Sequence, residues 1–207
     1  HLAIQVESAP LGRVMQLVAS RYARRKQRRV PTTGHLFERR YLDMVRDCSR
    51  GGGVFGVCLI VRGREAGEAA VPAAFGTIAR IIDFSTLPDG LLGITVRGEG
   101  RFHVARNRVR DNGLIIGQVE GLAADPVLPV PPEYALLATI LERLAEQVGG
   151  ELGGAAKERF DDSAWVAWHL ADLLPLEQEE RQQLLQDPDP VHRLELLAHW
   201  LPRFQRH

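Results

Sequence analysis

Lysine is almost missing from this sequence: Lys26 and Lys157 are the only two in 207 residues. Neither follows a glycine-rich loop, so a phosphate-cradling G-x-x-x-x-G-K-[ST] nucleotide site is excluded on its essential residue. Cysteine is equally scarce. Cys48 and Cys58 have neither zinc-ribbon nor C-x-x-C redox spacing and read as buried thiols acting as small hydrophobes. Long apolar runs are lacking too. The longest is about "FGVCLIV", far short of the ~20 residues of a membrane span. The first twenty residues hold Glu7 and Arg13 among short apolar pieces, so no signal-peptide core is visible. A cytoplasmic, membrane-free location is the expectation. No G-x-S-x-G or H-E-x-x-H string occurs, and serines 8, 20, 49, 85 and 163 sit at termini, turns or caps.

What is present is ordinary for a globular chain: 45% apolar and 25% charged residues. The length allows one large domain or two small ones. The formal net charge is zero, so the whole molecule is not an electrostatic binder of nucleic acid and any basic patch is local.

From about residue 54 to 122 the pattern is strands. "VFGVCLIV" and "FGTIARIIDF" are Val- and Ile-rich runs. Asp89-Gly90 and Asn112-Gly113 are dipeptides that tolerate the positive φ of tight hairpins. Gly98 and Gly100 predict a corner or bulge within one long bent strand. Upstream, "FERRYLDMVRDCSR" predicts a helix with Tyr41, Met44, Val45 and Cys48 on one face, ended by Gly51 to Gly53.

Four prolines between positions 126 and 132 stop the sheet, because proline has no N–H to donate. Helices follow. Leu136, Leu137, Ile140, Leu141, Leu144 and Val148 recur at helical spacing, and "GGELGG" predicts the end of that helix and a flexible loop. Asp162 or Ser163 is the expected cap of "AWVAWHLADLL", Pro175 stops it, and Asp189-Pro190 opens a last helix. The C-terminal third is expected to be a bundle of about four helices.

No residue constellation points to catalysis, a cofactor or a metal. His192 and His199 are seven apart on one helix, a spacing that does not make a metal pair, and read as surface or boundary residues. His103 and His169 stand beside apolar residues and read as structural. Asp161 and Asp162 read as helix caps rather than an acid–base pair. Trp165 and Trp168 read as core. The residues alone define a soluble α+β protein that binds rather than reacts.

The strings "LFERRYLDMVRDC", "FGVCLI", "FGTIARI", "LPDGLLGITVRGEGRFHV" and "GLIIGQVEGL", in that order, resemble the N-terminal domain of the ATP-dependent protease Lon and its stand-alone bacterial relatives. "LADLLPLEQEERQQLLQDPDPVHRLELLAHWL" is similar to the helical half of the same domain. The resemblance runs from about Leu36 to Leu201. It implies an α+β fold, a PUA-like small β-barrel over 36–124 followed by a helical bundle over 125–207. It also implies no catalytic residue, and a role in recognising unfolded or tagged protein substrates. The ATPase and protease modules that follow this domain in Lon are not expected here.

The front departs from the family pattern. Phe37, Glu38, Arg40, Tyr41 and Met44 match the "FE-x-RY" helix, but residues 1–35 do not match the two short strands that precede it in relatives. They hold basic residues at 13, 21, 24, 25, 26, 28 and 29 against the single acid Glu7. The first reading of this basic segment is a shifted-frame translation or mis-set start standing where native strands belong. The second is a solvated helix, and the third an arm that contacts phosphate.

Two functions follow as expectations. One is a non-catalytic module, adaptor or recognition domain, that holds unfolded or extended protein segments, with Lon-type protease machinery as a further partner. Its expected surface is a groove on the barrel or between barrel and bundle, where edge strands accept an added strand. The other is a nucleic-acid-binding PUA-like protein, ranked lower for want of basic residues interleaved with aromatics after residue 36.

Overall fold

A computed structural model describes residues 2–7, 39–50, 53–62, 71–86 and 92–205. The basic run at 21–30, the Asp89-Gly90 turn and the Tyr41 side chain lie outside the described residues. The chain divides into two compact units, His1–Ala124 and Asp125–His207.

The first unit is built on four strands: β2 (Val54–Arg62), β3 (Val71–Thr86), β4 (Leu92–Val109) and β5 (Ile115–Gly121). They pair antiparallel in sequence order. Asn112 and Gly113 form the turn between β4 and β5. Gly113 takes φ 80°, Leu114 N–H donates to the Asn112 side chain at 3.1 Å, and Arg110 N–H donates to Leu114 O at 2.8 Å. β4 is one strand of 18 residues, and its register shifts where Gly100 pairs with Ile78 and Gly98 with Ala79. Glu99 is the extra residue of that bulge, and the Arg80 guanidinium grips its carboxylate with two hydrogen bonds, one of 2.8 Å. Two glycines flanking one charged residue are thus the local cause of the bend.

Within the first segment, Leu2–Glu7 is a strand, β1, which the sequence reading did not foresee. It pairs antiparallel with β2, Leu2 opposite Cys58, and parallel with β5, Ile4 opposite Ile115. The cause is legible in "LAIQVE", where Leu2, Ile4 and Val6 alternate with Ala3, Gln5 and Glu7, the period of a strand. The cations downstream obscured that alternation. β2 to β5 alone make an open four-stranded sheet, and no described ladder joins β2 to β5. A barrel order therefore rests on β1 alone.

The sheet buries apolar side chains on both faces. Cys58, Ile78, Phe102, Ile115 and Val119 form one cluster. Phe55, Ala79, Leu114 and Ile116 form the other, closed by Met44, Val45 and Cys48 of helix α1 (Arg39–Arg50). Those three helical residues share a face at i, i+1 and i+4, which is why α1 lies on the sheet. Burying Met44 and Val45 contributes about 1.5–3 kcal/mol each. Gly53 ends the segment at φ 73°, its N–H donating to Cys48 O at 2.5 Å.

The second unit is helical: α2 (Ala135–Val148), α3 (Gly150–Gly153), α4 (Ser163–Leu173), α5 (Gln178–Gln186) and α6 (Pro190–Trp200). The "GGELGG" stretch holds the short helix α3 instead of a plain loop. Gly149 and Gly150 take the positive φ values, 67° and 62°, that turn the chain between α2 and α3. α4 is central, with Val166, Ala167, Leu170 and Ala171 buried. It packs on both α2 and α6. Asp162 caps it by accepting from Ala164 N–H at 3.1 Å, and Asp189 caps α6 by accepting from Val191 N–H at 2.8 Å. Glu177 and Glu180 form a capping box on α5.

Candidate protein-binding surface

β3 outruns β2. The last pair between them is Val54 with Arg80, whereas β3 goes on pairing with β4 as far as Thr86 with Leu92. Beyond one bond from Ile81 N–H to Gly53 O, at 2.7 Å, the far side of β3 has no described ladder. Six residues at about 3.3 Å each make a two-stranded ribbon roughly 20 Å long. Its side chains include Ile82 and Phe84, which stand 47% and 48% exposed. Large apolar groups on a strand edge are an association surface unless something covers them.

The residues singled out in the sequence are not drawn together. His192 and His199 are both exposed on α6, and His192 Nδ1 lies 2.5 Å from Asp187 Oδ2. His103 sits on β4 with its ring 5.0 Å from that of Phe75. His169 Nδ1–H donates to Trp165 O at 2.8 Å and its ring packs on Trp165 at 3.9 Å. Burial pushes this imidazole below the usual histidine range against the Trp165 hydrogen bond, and the Arg159 charge pushes it the same way. Asp161 accepts from Val130 N–H while Asp162 caps α4. Trp168 is buried, and Trp165 is half-buried, edge-on to Phe160.

Ser49 and Ser163 each donate their hydroxyl to a backbone carbonyl, Val45 O at 2.7 Å and Pro129 O at 2.8 Å. A nucleophilic serine needs a base in that position instead. Among the described residues, no group of three or more His, Cys, Asp or Glu side chains is placed to hold a metal ion. No helix there is long and apolar enough to cross a membrane.

One buried polar arrangement escaped the sequence reading. Arg193 on α6 has no exposed side-chain surface and grips both carboxylate oxygens of Asp125, one bond measuring 3.0 Å. Trp168 Nε1–H donates to the same carboxylate at 2.8 Å, and the guanidinium lies 4.3 Å from the Trp168 ring centroid. Arg181 on α5 donates to Ala171 O, Leu174 O and Leu176 O, closing the C-terminal end of α4. Both arginines tie parts of the helical unit together.

The described residues thus make an α+β protein with a strand-edge ribbon on its sheet unit. The chain belongs to the Lon substrate-binding domain family, whose model, the substrate-binding domain of ATP-dependent protease La (LON), matches residues 30–203. The solved structure of a Lon N-terminal domain protein from Xanthomonas campestris is similar at 40% identity and a TM-score of 0.68. That similarity covers 97% of this chain and 99% of the other. The N-terminal domain of the Mycobacterium avium complex Lon protease shares the fold, with a TM-score of 0.57 at 17% identity over 97% and 98% of the two chains. A LON peptidase N-terminal domain and RING finger protein of Schizosaccharomyces pombe is 26% identical over 86% of this chain. The chain spans 43% of that relative's length.

Proposed function

We propose that this protein is a non-catalytic recognition module that holds unfolded or extended protein segments, as an adaptor or substrate-recognition unit for Lon-type proteolysis in the cytoplasm. The observation that carries the reading is the β3–β4 ribbon, where backbone donors and acceptors on one side of β3 lie beside exposed Ile82 and Phe84. An extended client adds a strand there through main-chain bonds, which are indifferent to sequence, and seats apolar side chains on the exposed pair. That combination suits clients recognised by being unfolded. The family match to a substrate-binding domain supports the same reading. So do the two described serine hydroxyls, which face carbonyls instead of bases. In this reading the sheet unit, completed by β1 as a PUA-like barrel, carries the client contact, and the residues from 125 onward form a separate helical subdomain. Two free, buried thiols fit a reducing compartment.

The test is binding of a permanently unfolded, reduced and alkylated protein to the full chain, followed by fluorescence anisotropy. Ile82→Ser with Phe84→Ser is expected to weaken binding roughly tenfold, a loss of about 1.4 kcal/mol. Unchanged affinity in a variant that melts like the parent would remove the ribbon from the account.

A further inference from the structure

Asp83 stands in sequence between exposed Ile82 and Phe84 of the ribbon and is itself exposed. It is the only charged residue among the ribbon positions 81–86 and 92–96. Its carboxylate is turned back on the strand, where Phe84 N–H donates to Asp83 Oδ1 at 2.8 Å. The register fixes which side of β3 this bond occupies. Ile81 pairs with Val96 and aims its N–H away from β4, at Gly53 O. The next pair is Asp83 with Thr95, so Ile82 is the extra residue of a bulge. An inserted residue resets the alternation of a strand, and the next N–H on the open side after Ile81 is that of Phe84. This is a donor that an added strand would use, and the Asp83 carboxylate already holds it.

We infer that Asp83 is a specificity-determining residue of the ribbon, favouring extended segments that place a lysine or arginine opposite it and disfavouring those that place a carboxylate there. The inference rests on the proposed strand addition and adds a chemical preference to it. A residue directly opposite on an added strand shares the face of Asp83, with Cβ atoms about 4.5–5.5 Å apart, where opposite charges attract and like charges repel. A client cation that takes the carboxylate also releases Phe84 N–H to a client carbonyl. A client carboxylate instead meets the charge of Asp83 and leaves that N–H occupied. The apolar neighbours of the client cation come beside Ile82 and Phe84, so the preferred client alternates basic and apolar residues.

The test uses the full chain and three fluorescent peptides of about eight residues, long enough at ~3.3 Å each to span the ribbon. All alternate valine with a second residue, which is Lys in one, Gln in another and Glu in the third. At about 50 mM salt, affinity is expected to fall in the order Lys, Gln, Glu, with roughly tenfold between first and last, and the spread is expected to close near ~0.5 M as screening shortens to a few ångströms. Asp83→Asn keeps the shape of the side chain without its charge and brings the three peptides within about twofold of one another. Asp83→Lys reverses the order. Equal binding of the three peptides by the unaltered protein overturns the inference, and weakening of all three by Ile82→Ser with Phe84→Ser then leaves the proposed function standing. Failure to bind any of the peptides overturns the inference, and failure to bind the unfolded protein above as well overturns both. A Lys preference that survives in both Asp83 variants places the selection elsewhere and also overturns it.

Discussion

Arg193 and Asp125 are 68 residues apart in sequence, yet the Arg193 guanidinium holds both oxygens of the Asp125 carboxylate with no side-chain surface left to solvent. A charge removed from water this completely depends on its partner. Asp125→Ala leaves a buried cation uncompensated and is expected to cost about 3–5 kcal/mol, as breaking a buried pair does. Replacing both residues with apolar ones, Asp125→Leu with Arg193→Met, restores much of the loss. Denaturant midpoints of the three proteins check this. A single-mutant loss below about 1 kcal/mol would show that the pair is more hydrated than its geometry implies.

Gly76 sits opposite Cys58 on one side and Phe102 on the other. A Cβ at this position would stand 2.6 Å from Cys58 Sγ, from Phe102 Cζ and from the Val57 carbonyl oxygen. The carbonyl cannot rotate away as a flexible side chain would. Gly76→Ala is therefore expected to destabilise the sheet unit by about 1–3 kcal/mol or more through overpacking. Paired Gly76→Ala, Phe102→Leu tests the cause, since space freed at position 102 should recover part of the loss.

Neither of these two sites was legible in the sequence, which reveals what near neighbours decide. Periodicity placed Met44, Val45 and Cys48 on one helical face, and turn chemistry placed Asn112-Gly113 and the bulge between Gly98 and Gly100. All of these are decided by residues within a few positions of one another. The caps Asp162 and Asp189 were legible for the same reason. Arg193 with Asp125, and Arg181 on the carbonyls of α4, depend on which helices pack together, and no local pattern encodes that. The ribbon was hidden differently. Both of its strands were visible, but its exposure follows from β2 starting only at Val54, opposite Arg80, a matter of register across three strands. β1 was missed because its six residues precede a basic run that dominated the composition of the segment.

Both cysteines should be inert in the folded protein. Burial pushes the Cys58 thiol up to about 12, and burial followed by the charge of Asp47 raises Cys48. Reaction with disulfide reagents needs the thiolate, so almost none is available at neutral pH. A colourimetric thiol titration at pH 7.5 is expected to find no fast-reacting group in native protein and two in denaturant. Rapid labelling of native protein would place one of these side chains at the surface.

His169 gives the helical unit a sensitivity to acid. Its folded-state affinity for a proton lies below the unfolded value near 6.5, mainly through burial. As pH falls past about 6.5 the unfolded chain takes up a proton that the folded imidazole refuses, so stability drops until the folded imidazole protonates as well. His169→Gln keeps a donor for the Trp165 carbonyl and removes the titration. The stability lost between about pH 7 and pH 5 should be smaller in this variant, measured by denaturant unfolding at both values. An identical loss in both proteins would assign the acid sensitivity elsewhere.

The central claim, that the β3–β4 ribbon receives an added strand, is tested most directly by amide hydrogen exchange of the full chain with and without a permanently unfolded protein. Strand addition predicts new protection of backbone amides within residues 82–86 of β3, with little change in the amides of α4 and α6. Protection confined to the helical unit, or client binding that leaves 82–86 exchanging at the free rate, would contradict it.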